Sequence, residues 1–396
     1  MAEALKRRIG LGLLTAYGVG VMVGAGIYVL IGAVAAEAGI YAPWAFLLAG
    51  VIAAPTALSY AEFSTRIPEA AGEAAFVEKG LGLPLLGLIV GLAIVAAGTV
   101  SASAVLSGGV GYLMALVSIP EVAGIAILGV LLTAVAIVGV LESLALAAIF
   151  TLIELIGLAL VVWAGFSVEP SADFLPPQPF VVGGVVAAAV LAFFAFIGFE
   201  DIVNMAEEVE KPERNMPRAI LLSLVITTTI YALVSWAAVR AVPLAELGQS
   251  RQPLALVWQA GQGGDARFLS AIAVFAALNG VLAQIVMASR VLFGLGRKHR
   301  ALTVFTSTHS KLGTPVLATV LIGALVMFGA TVLPLATLAE ATSTILLTVF
   351  VVVNASLVVL KRRVPEAPFR VPMAVPVFGF VAASGALFAN LFGVVT

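Results

Sequence analysis

The chain has no cysteine, which rules out a disulfide framework, a thiolate metal site and thiol redox chemistry. Charge is scarce as well: Asp, Glu, Lys and Arg make up 10% of the residues, against 62% hydrophobic. That balance lies far outside a soluble globular domain and describes an all-α integral membrane protein. Only two histidines occur, His299 and His309. Neither belongs to an H-E-x-x-H pattern and no G-x-S-x-G is present, so the residues of zinc or serine hydrolases are missing and no enzyme is read. The net charge of −1 gives no basic surface for nucleic acid, and no cofactor or metal is implied.

What is abundant is uninterrupted apolar sequence. Runs long enough to cross about 30 Å of hydrocarbon fall at 9–36, 42–65, 84–114, 121–141, 146–166, 181–205, 218–240, 266–294, 314–333, 336–360 and 373–395. Lys6, Arg7 and Arg8 precede the first run, as in a secretory signal, but the run is too long for a signal core and is read as a retained span. With the N-terminus cytoplasmic, seventeen of the 20 Lys and Arg fall on that side, and only Arg240, Arg251 and Arg267 do not. A missed or extra early span would destroy this asymmetry. The expectation is a multi-pass protein of the cell membrane.

Two of these runs are interrupted at matching places, Gly24-Ala25-Gly26-Ile27-Tyr28 and Ala195-Phe196-Ile197-Gly198-Phe199-Glu200. Each opens a block of five runs, 9–166 and 181–360, with 373–395 left outside as a peripheral helix. Five is odd, so successive blocks cross in opposite senses and the repeats are inverted. Discontinuous helices in corresponding places of inverted repeats point to an alternating-access transporter with its substrate at the repeat interface. Gly20, Gly24 and Ala25 taken alone would equally suit close helix packing; the paired breaks favour a site. A half-helix starting after Gly26 offers free N–H groups and a positive dipole end to a carboxylate. Unwound carbonyls near Met22 and at Phe194–Ile197 can receive an ammonium group. Together they suit a zwitterion.

The run Gly18-Val19-Gly20-Val21-Met22-Val23-Gly24-Ala25-Gly26-Ile27-Tyr28-Val29-Leu30 resembles the first-helix signature of amino acid permeases of the amino acid–polyamine–organocation (APC) superfamily. Ala57-Leu58-Ser59-Tyr60-Ala61-Glu62 with Arg66, Pro68 and Gly72 is similar to the second span and the segment after it. Phe193 to Glu200, then Glu207-Glu208 and Lys211-Pro212-Glu213-Arg214-Asn215-Met216-Pro217-Arg218, resembles the sixth span and its loop and is the most specific match. Ala288-Ser289-Arg290, Gly296-Arg297 and Thr314-Pro315 extend the resemblance over nearly the whole chain, in order. It implies a LeuT-like 5+5 inverted-repeat transporter fold, like that of the bacterial leucine transporter, with about 11 transmembrane helices, of which 1 and 6 are discontinuous. It also implies amino acid transport driven by an ion gradient or by exchange. Carried onto matching positions, the α-carboxylate meets Ala25, Gly26 and Ile27, and the α-amino group meets the carbonyls of Met22, Phe194, Ala195 and Ile197. Phe196 and Phe199 either cover the site or simply pack beside it. Two features depart from the pattern: eleven runs where relatives commonly have twelve, which would leave Thr396 external, and Tyr28 where phenylalanine is frequent.

Glu154 is the sharpest single residue, a carboxylate about 12 Å along the fifth apolar run. Such a group cannot snorkel to water and marks function by default. Many permeases like this one carry lysine at that position, so the proton-coupling role given to that lysine does not transfer directly. Near helix one and near Ser289 or Asn279 of helix eight, a carboxylate here binds a proton or helps coordinate sodium. A proton is favoured, because a lone Glu needs no partner when neutral whereas sodium needs several oxygens. Glu200 and Asp201 follow the second break and are placed facing the cavity. Glu62 is read as part of a charge network with Arg66 or Arg290. The third run offers Thr99, Ser101, Ser103 and Ser107 but no acid, so small or neutral amino acids are expected first, with cationic amino acids and polyamines left open by Glu154, Glu200 and Asp201. A channel and a non-transporting amino acid sensor are the rival functions; oligomeric state is unspecified.

Overall fold

The computed structural model describes residues 9–67, 72–138, 144–174, 179–206, 209–308 and 314–391. Lys6, Arg7, Arg8, Pro68, Glu207, Glu208, His309, Lys311 and Thr396 lie outside them. Among the described residues the regular structure is helical: α1 (Leu11–Ala38), α2 (Ala42–Arg66), α3 (Gly72–Leu81), α4 (Pro84–Leu113), α5 (Glu121–Val138), α6 (Leu144–Phe166), α7 (Val182–Phe194), α8 (Pro212–Ala241), α9 (Leu244–Gln249), α10 (Pro253–Gln262), α11 (Arg267–Lys298), α12 (Val316–Val332), α13 (Leu335–Arg363) and α14 (Ala374–Leu391). A single parallel bridge joins Ile9 to Val209.

Each apolar run read from the sequence contains helix. Eight stretches are long and apolar enough to cross a membrane; one of them, Gly26–Arg66, holds the second part of α1 and all of α2. Leu11–Gly24, Val182–Phe194 and Val316–Val332 are shorter apolar helices. Every backbone polar group in hydrocarbon must be satisfied within the protein, which is why this composition folds as helices. Proline opens α4, α8 and α10, where its missing N–H costs nothing. Basic residues close α2, α11 and α13, where they meet the negative end of the helix dipole.

Around α1 pack α6, α7 and α8; α2 lies along α8, and α4 along α11 and α13. The heaviest packing joins α4 to α11 and α13 and α2 to α8, and the interruptions lie in α1 and just after α7. The segment before α1 is tied to the segment before α8, because Glu210 N–H donates to Ile9 O at 3.0 Å beside the bridge.

Candidate substrate and coupling site

In α1 the helical dihedrals fail at one residue, Gly24 (φ −7°, ψ −155°), so the first interruption is narrower than the five residues 24–28. The second is longer. After Phe194 the chain tightens: Ala195, Phe196 and Ile197 N–H donate to the carbonyls three residues back, at 3.0–3.2 Å. Gly198 then takes φ +122°, a conformation open to glycine and strained for other residues. A short 3₁₀ turn, Glu200–Met205, follows, and Glu200 Oε2 accepts the Gly198 N–H at 2.9 Å.

The interruptions meet each other. A Cβ built on Gly26 would stand 3.0 Å from Ala195 Cα, and one on Gly198 would stand 3.0 Å from Val21 C and 3.2 Å from Met22 N. Backbone thus faces backbone with only hydrogen between. Tyr231 of α8 joins them: its buried hydroxyl lies 2.6 Å from Met22 O and 2.8 Å from Ala195 O. One hydroxyl carries one proton, so it donates to one carbonyl at a time, and each carbonyl keeps a further lone pair. Phe194 O receives the Ile197 N–H. Ile27 is fully buried.

Phe196 and Phe199 are both fully buried in aromatic clusters. Phe196 packs edge-on to Tyr231, with ring centroids 5.3 Å apart, and Tyr231 in turn packs on Phe46. Phe199 lies against Tyr60 at 5.8 Å and Phe350 at 5.3 Å. In this arrangement both rings are held by aromatic partners.

Glu154 sits on the face of α6 turned to α1. Thr151, Glu154 and Gly157 recur every three residues on that face; Thr151 crowds the space over Gly20, and a Cβ on Gly157 would meet the Tyr28 hydroxyl at 2.8 Å. The Tyr28 hydroxyl donates to the Glu154 carbonyl at 2.9 Å, and Tyr28 O accepts from Tyr112 of α4 at 2.7 Å. The Glu154 carboxylate itself is 1% exposed, and neither oxygen has a hydrogen-bond partner. Asn279 of α11 faces it without closing a bond. Ser289 lies ten residues further along α11, about 15 Å of helix rise, and its hydroxyl donates to Val286 O. Of the two α11 candidates, Asn279 is the neighbour of Glu154.

The expected charge network about Glu62 forms with a different second cation. Arg66 donates to Oε1 at 2.6 Å, while Oε2 receives Lys361 Nζ at 2.6 Å and the Val371 N–H at 2.9 Å. Lys361 takes the place considered for Arg290, and Arg66 reaches on to Val364 O and Glu366 O. All three side chains are nearly buried, so α2, α13 and the segment before α14 are clamped at one end.

Tyr231 and Lys361 escaped the sequence reading. A tyrosine inside an apolar run was the available signal, since a buried hydroxyl requires a partner; what it could not say is which carbonyl.

This geometry can be set beside known proteins. The chain is 30% identical to the branched-chain amino acid permease BcaP of Bacillus subtilis (strain 168), over 98% of this chain and 88% of the relative. It is 30% identical to the methylthioribose transporter of the same organism, over 85% and 77%. With cationic amino acid transporter 4, vacuolar, of Arabidopsis thaliana it shares 29% identity, over 81% of this chain and 57% of that longer protein. The relatives are transporters and permeases rather than enzymes. Residues 9–396 match the amino acid permease family, and the chain, a multi-pass integral membrane protein, belongs to that family and thereby to the APC superfamily of transporters.

Proposed function

We propose that the chain is a secondary active amino acid transporter that works by alternating access and is coupled to protons through Glu154. The observation that carries this reading is the meeting of two interrupted helices, at Gly24 and at Ala195–Gly198, under one tyrosine hydroxyl. Eleven crossings are inferred, in two inverted sets: α1, α2, α4, α5 and α6 over 9–166, and α7 with its 3₁₀ turn, α8, α11, α12 and α13 over 181–360. Helix α14 is peripheral, and the N-terminus faces the cytoplasm of the cell.

The substrate α-carboxylate is taken at the N–H groups of Ala25, Gly26 and Ile27, where the second part of α1 starts and its dipole is positive. The α-amino group is taken by carbonyls of Met22, Phe194, Ala195 and Ile197; Tyr231 holds two of them in place and leaves lone pairs free. That carriers named for branched-chain and for cationic amino acids are both similar to this chain fits a site that recognises the shared α-amino and α-carboxylate groups through backbone.

Coupling falls to Glu154 because its carboxylate is buried with both oxygens unpartnered. Such a group in hydrocarbon is completed by a proton or a cation. Sodium needs several oxygens, and beside the Glu154 carboxylate the polar side chain at hand is the amide of Asn279. The test is uptake of a panel of labelled amino acids into proteoliposomes under an inward proton gradient, an inward sodium gradient, or internal amino acid. Saturable uptake stimulated by protons is expected, and Glu154→Gln should keep substrate binding while losing that stimulation. Sodium dependence, or a proton response unchanged in Glu154→Gln, would overturn the coupling assignment; ion conduction without saturation would overturn transport.

A further inference from the structure

The proposed transport cycle makes no use of Tyr28, which stands where phenylalanine is frequent. Its side chain is fully buried, and its hydroxyl crosses from α1 to α6 to donate to Glu154 O at 2.9 Å. Gly157, one turn along α6, permits the approach, since a Cβ there would stand 2.8 Å from that hydroxyl. The main chain of Tyr28 is held as well. Tyr112, near the end of α4, donates to Tyr28 O at 2.7 Å and packs its ring edge-on to the Tyr28 ring, with centroids 6.4 Å apart.

The Tyr112 hydroxyl makes a second bond, accepting Leu254 N–H at 3.4 Å. Leu254 lies in the first turn of α10, where N–H groups have no partner within the helix. Its neighbours Ala255 and Leu256 use Gln252 O, and Leu254 uses Tyr112. Beside it Gln252 Nε2 donates to Gly111 O at 3.0 Å, and Arg251 pairs with Glu121 at 2.7 Å. Helix α9 meanwhile rests on the second part of α1, so closely that a Cβ on Gly32 would stand 2.5 Å from Leu247 O. Helix α10 packs on α6.

Four elements therefore meet through two buried hydroxyls: α6 at Glu154, α1 at Tyr28, α4 at Tyr112 and α10 at Leu254. The N–H groups read as the carboxylate site, Ala25 to Ile27, directly precede Tyr28. A turn of the second part of α1 breaks both bonds at Tyr28, leaves the Tyr112 proton without its acceptor, and carries away the surface on which α9 rests. Resting on the site read above, we propose that Tyr28 and Tyr112 are positioning residues that form a buried latch. The latch fixes the carboxylate-binding turn of α1 and, through it, holds α9 and α10 closed against α1, α4 and α6.

The test is amide hydrogen exchange of the purified full-length chain, compared among wild type, Tyr28→Phe, Tyr112→Phe and Gly157→Ala. The phenylalanines keep each ring and remove only its hydroxyl. Gly157→Ala leaves both tyrosines in place and displaces the Tyr28 hydroxyl from α6, so the test does not depend on one variant folding. In Tyr28→Phe and Gly157→Ala the bond lost lies between α1 and α6, yet exchange over 244–262 is expected to rise about fivefold or more, the scale of one buried hydrogen bond. Tyr112→Phe should raise it at least as much, and exchange in α3 should stay within about twofold throughout. Unchanged exchange over 244–262 in Tyr28→Phe and Gly157→Ala would overturn the latch, and so would an equal rise in α3, the sign of general loosening. Affinity for a labelled amino acid, measured on the same samples, should weaken about fivefold in Tyr28→Phe; unchanged affinity would overturn the positioning of α1. A wild-type protein that binds no amino acid would overturn the transport reading, while the exchange rates still decide the latch.

Discussion

Gly26 offers the most direct test of whether the two interrupted helices form one site. A methyl at this position would stand 3.0 Å from Ala195 Cα and 3.3 Å from Ala195 Cβ, whereas carbon atoms rest about 3.5–4.0 Å apart. The contact is with backbone, which cannot swing away as a side-chain tip would. Gly26→Ala therefore forces the two segments apart by roughly 0.5–1 Å, and overpacking of this kind costs about 1–3 kcal/mol. If the cost falls on the geometry that receives substrate, affinity drops by about 5- to 150-fold, with Gly26→Val at or beyond the upper end. Gly12, earlier in the same helix, is the control: nothing lies within 4 Å of its built Cβ, so Gly12→Ala should bind normally. Equilibrium binding of a labelled amino acid to purified protein, with thermal unfolding run in parallel, separates lost affinity from lost fold. Wild-type affinity in Gly26→Val would refute the placement of the first break in the site.

Three further perturbations have worked expectations. Tyr231→Phe keeps the ring contacts with Phe46 and Phe196 but strips the hydroxyl from Met22 O and Ala195 O, so a loss of about 1–3 kcal/mol is expected; an unchanged melting temperature would remove the bridge from the account. Glu62→Gln leaves the Lys361 ammonium, 1% exposed, without its carboxylate, for a loss of about 3–5 kcal/mol, and Glu62→Gln with Lys361→Met should recover much of it; a double variant no more stable than the single one would count against that pairing. Glu73, on α3 outside the apolar runs, has its carboxyl pushed up to about 7 by burial, opposed by its own backbone N–H and by Tyr60. A folded value above the ordinary 4.5 means stability present below pH 4.5 is lost as pH rises through 7, about 3 kcal/mol in all. The melting temperature of Glu73→Gln should therefore decline less than that of the wild type between pH 5 and 8, and superimposable profiles would refute this.

What could be read from the sequence was local. Gly24 and Gly198 point to interruptions because they fall at matching places in two apolar runs, since either alone would suit close packing equally, and Glu154 stands out because a carboxylate in hydrocarbon is costly, although a protonated structural Glu would look the same in sequence. Pro84 opens its helix where the third run begins, whereas α8 starts at Pro212, ahead of the 218 read from apolarity, and α13 runs on to Arg363, past 360. The short helices α3, α9 and α10 lie between the apolar runs and carry no such signal. What stayed hidden depends on distant partners: Tyr231 lies 209 residues from Met22, and Lys361 lies 299 from Glu62. Arg290 and Lys361 are equally good cations for Glu62 in sequence, and only the packing of α13 against α2 chooses between them. The extent of the first break was over-read for a similar reason. Tyr28 is held in helix by Glu154 O and Tyr112, both outside its own segment.

The buried polar groups divide in a way that bears on mechanism. Between α2 and α13 two groups are complete: Asn354 donates to Thr56 and to Phe350 O and accepts from Ser59, and Glu62 fills both its oxygens, while the Tyr60 and Ser343 hydroxyls on the same helices have no partner. A satisfied network of this kind stiffens what it joins. Four buried hydroxyls, of Tyr60, Ser171, Thr227 and Ser343, also lack a partner, but the two oxygens of Glu154 and the amide oxygen of Gln284 are the unpartnered side-chain carbonyl and carboxyl oxygens among the described residues, and they lie near the two interrupted elements. Each costs about 1–3 kcal/mol while unpartnered, a cost that a purely structural group would shed by substitution to an apolar residue. Both are acceptors, and both are placed where something that donates can arrive and leave. A proton at Glu154 would complete its carboxyl group, which is what the proposed coupling requires of it.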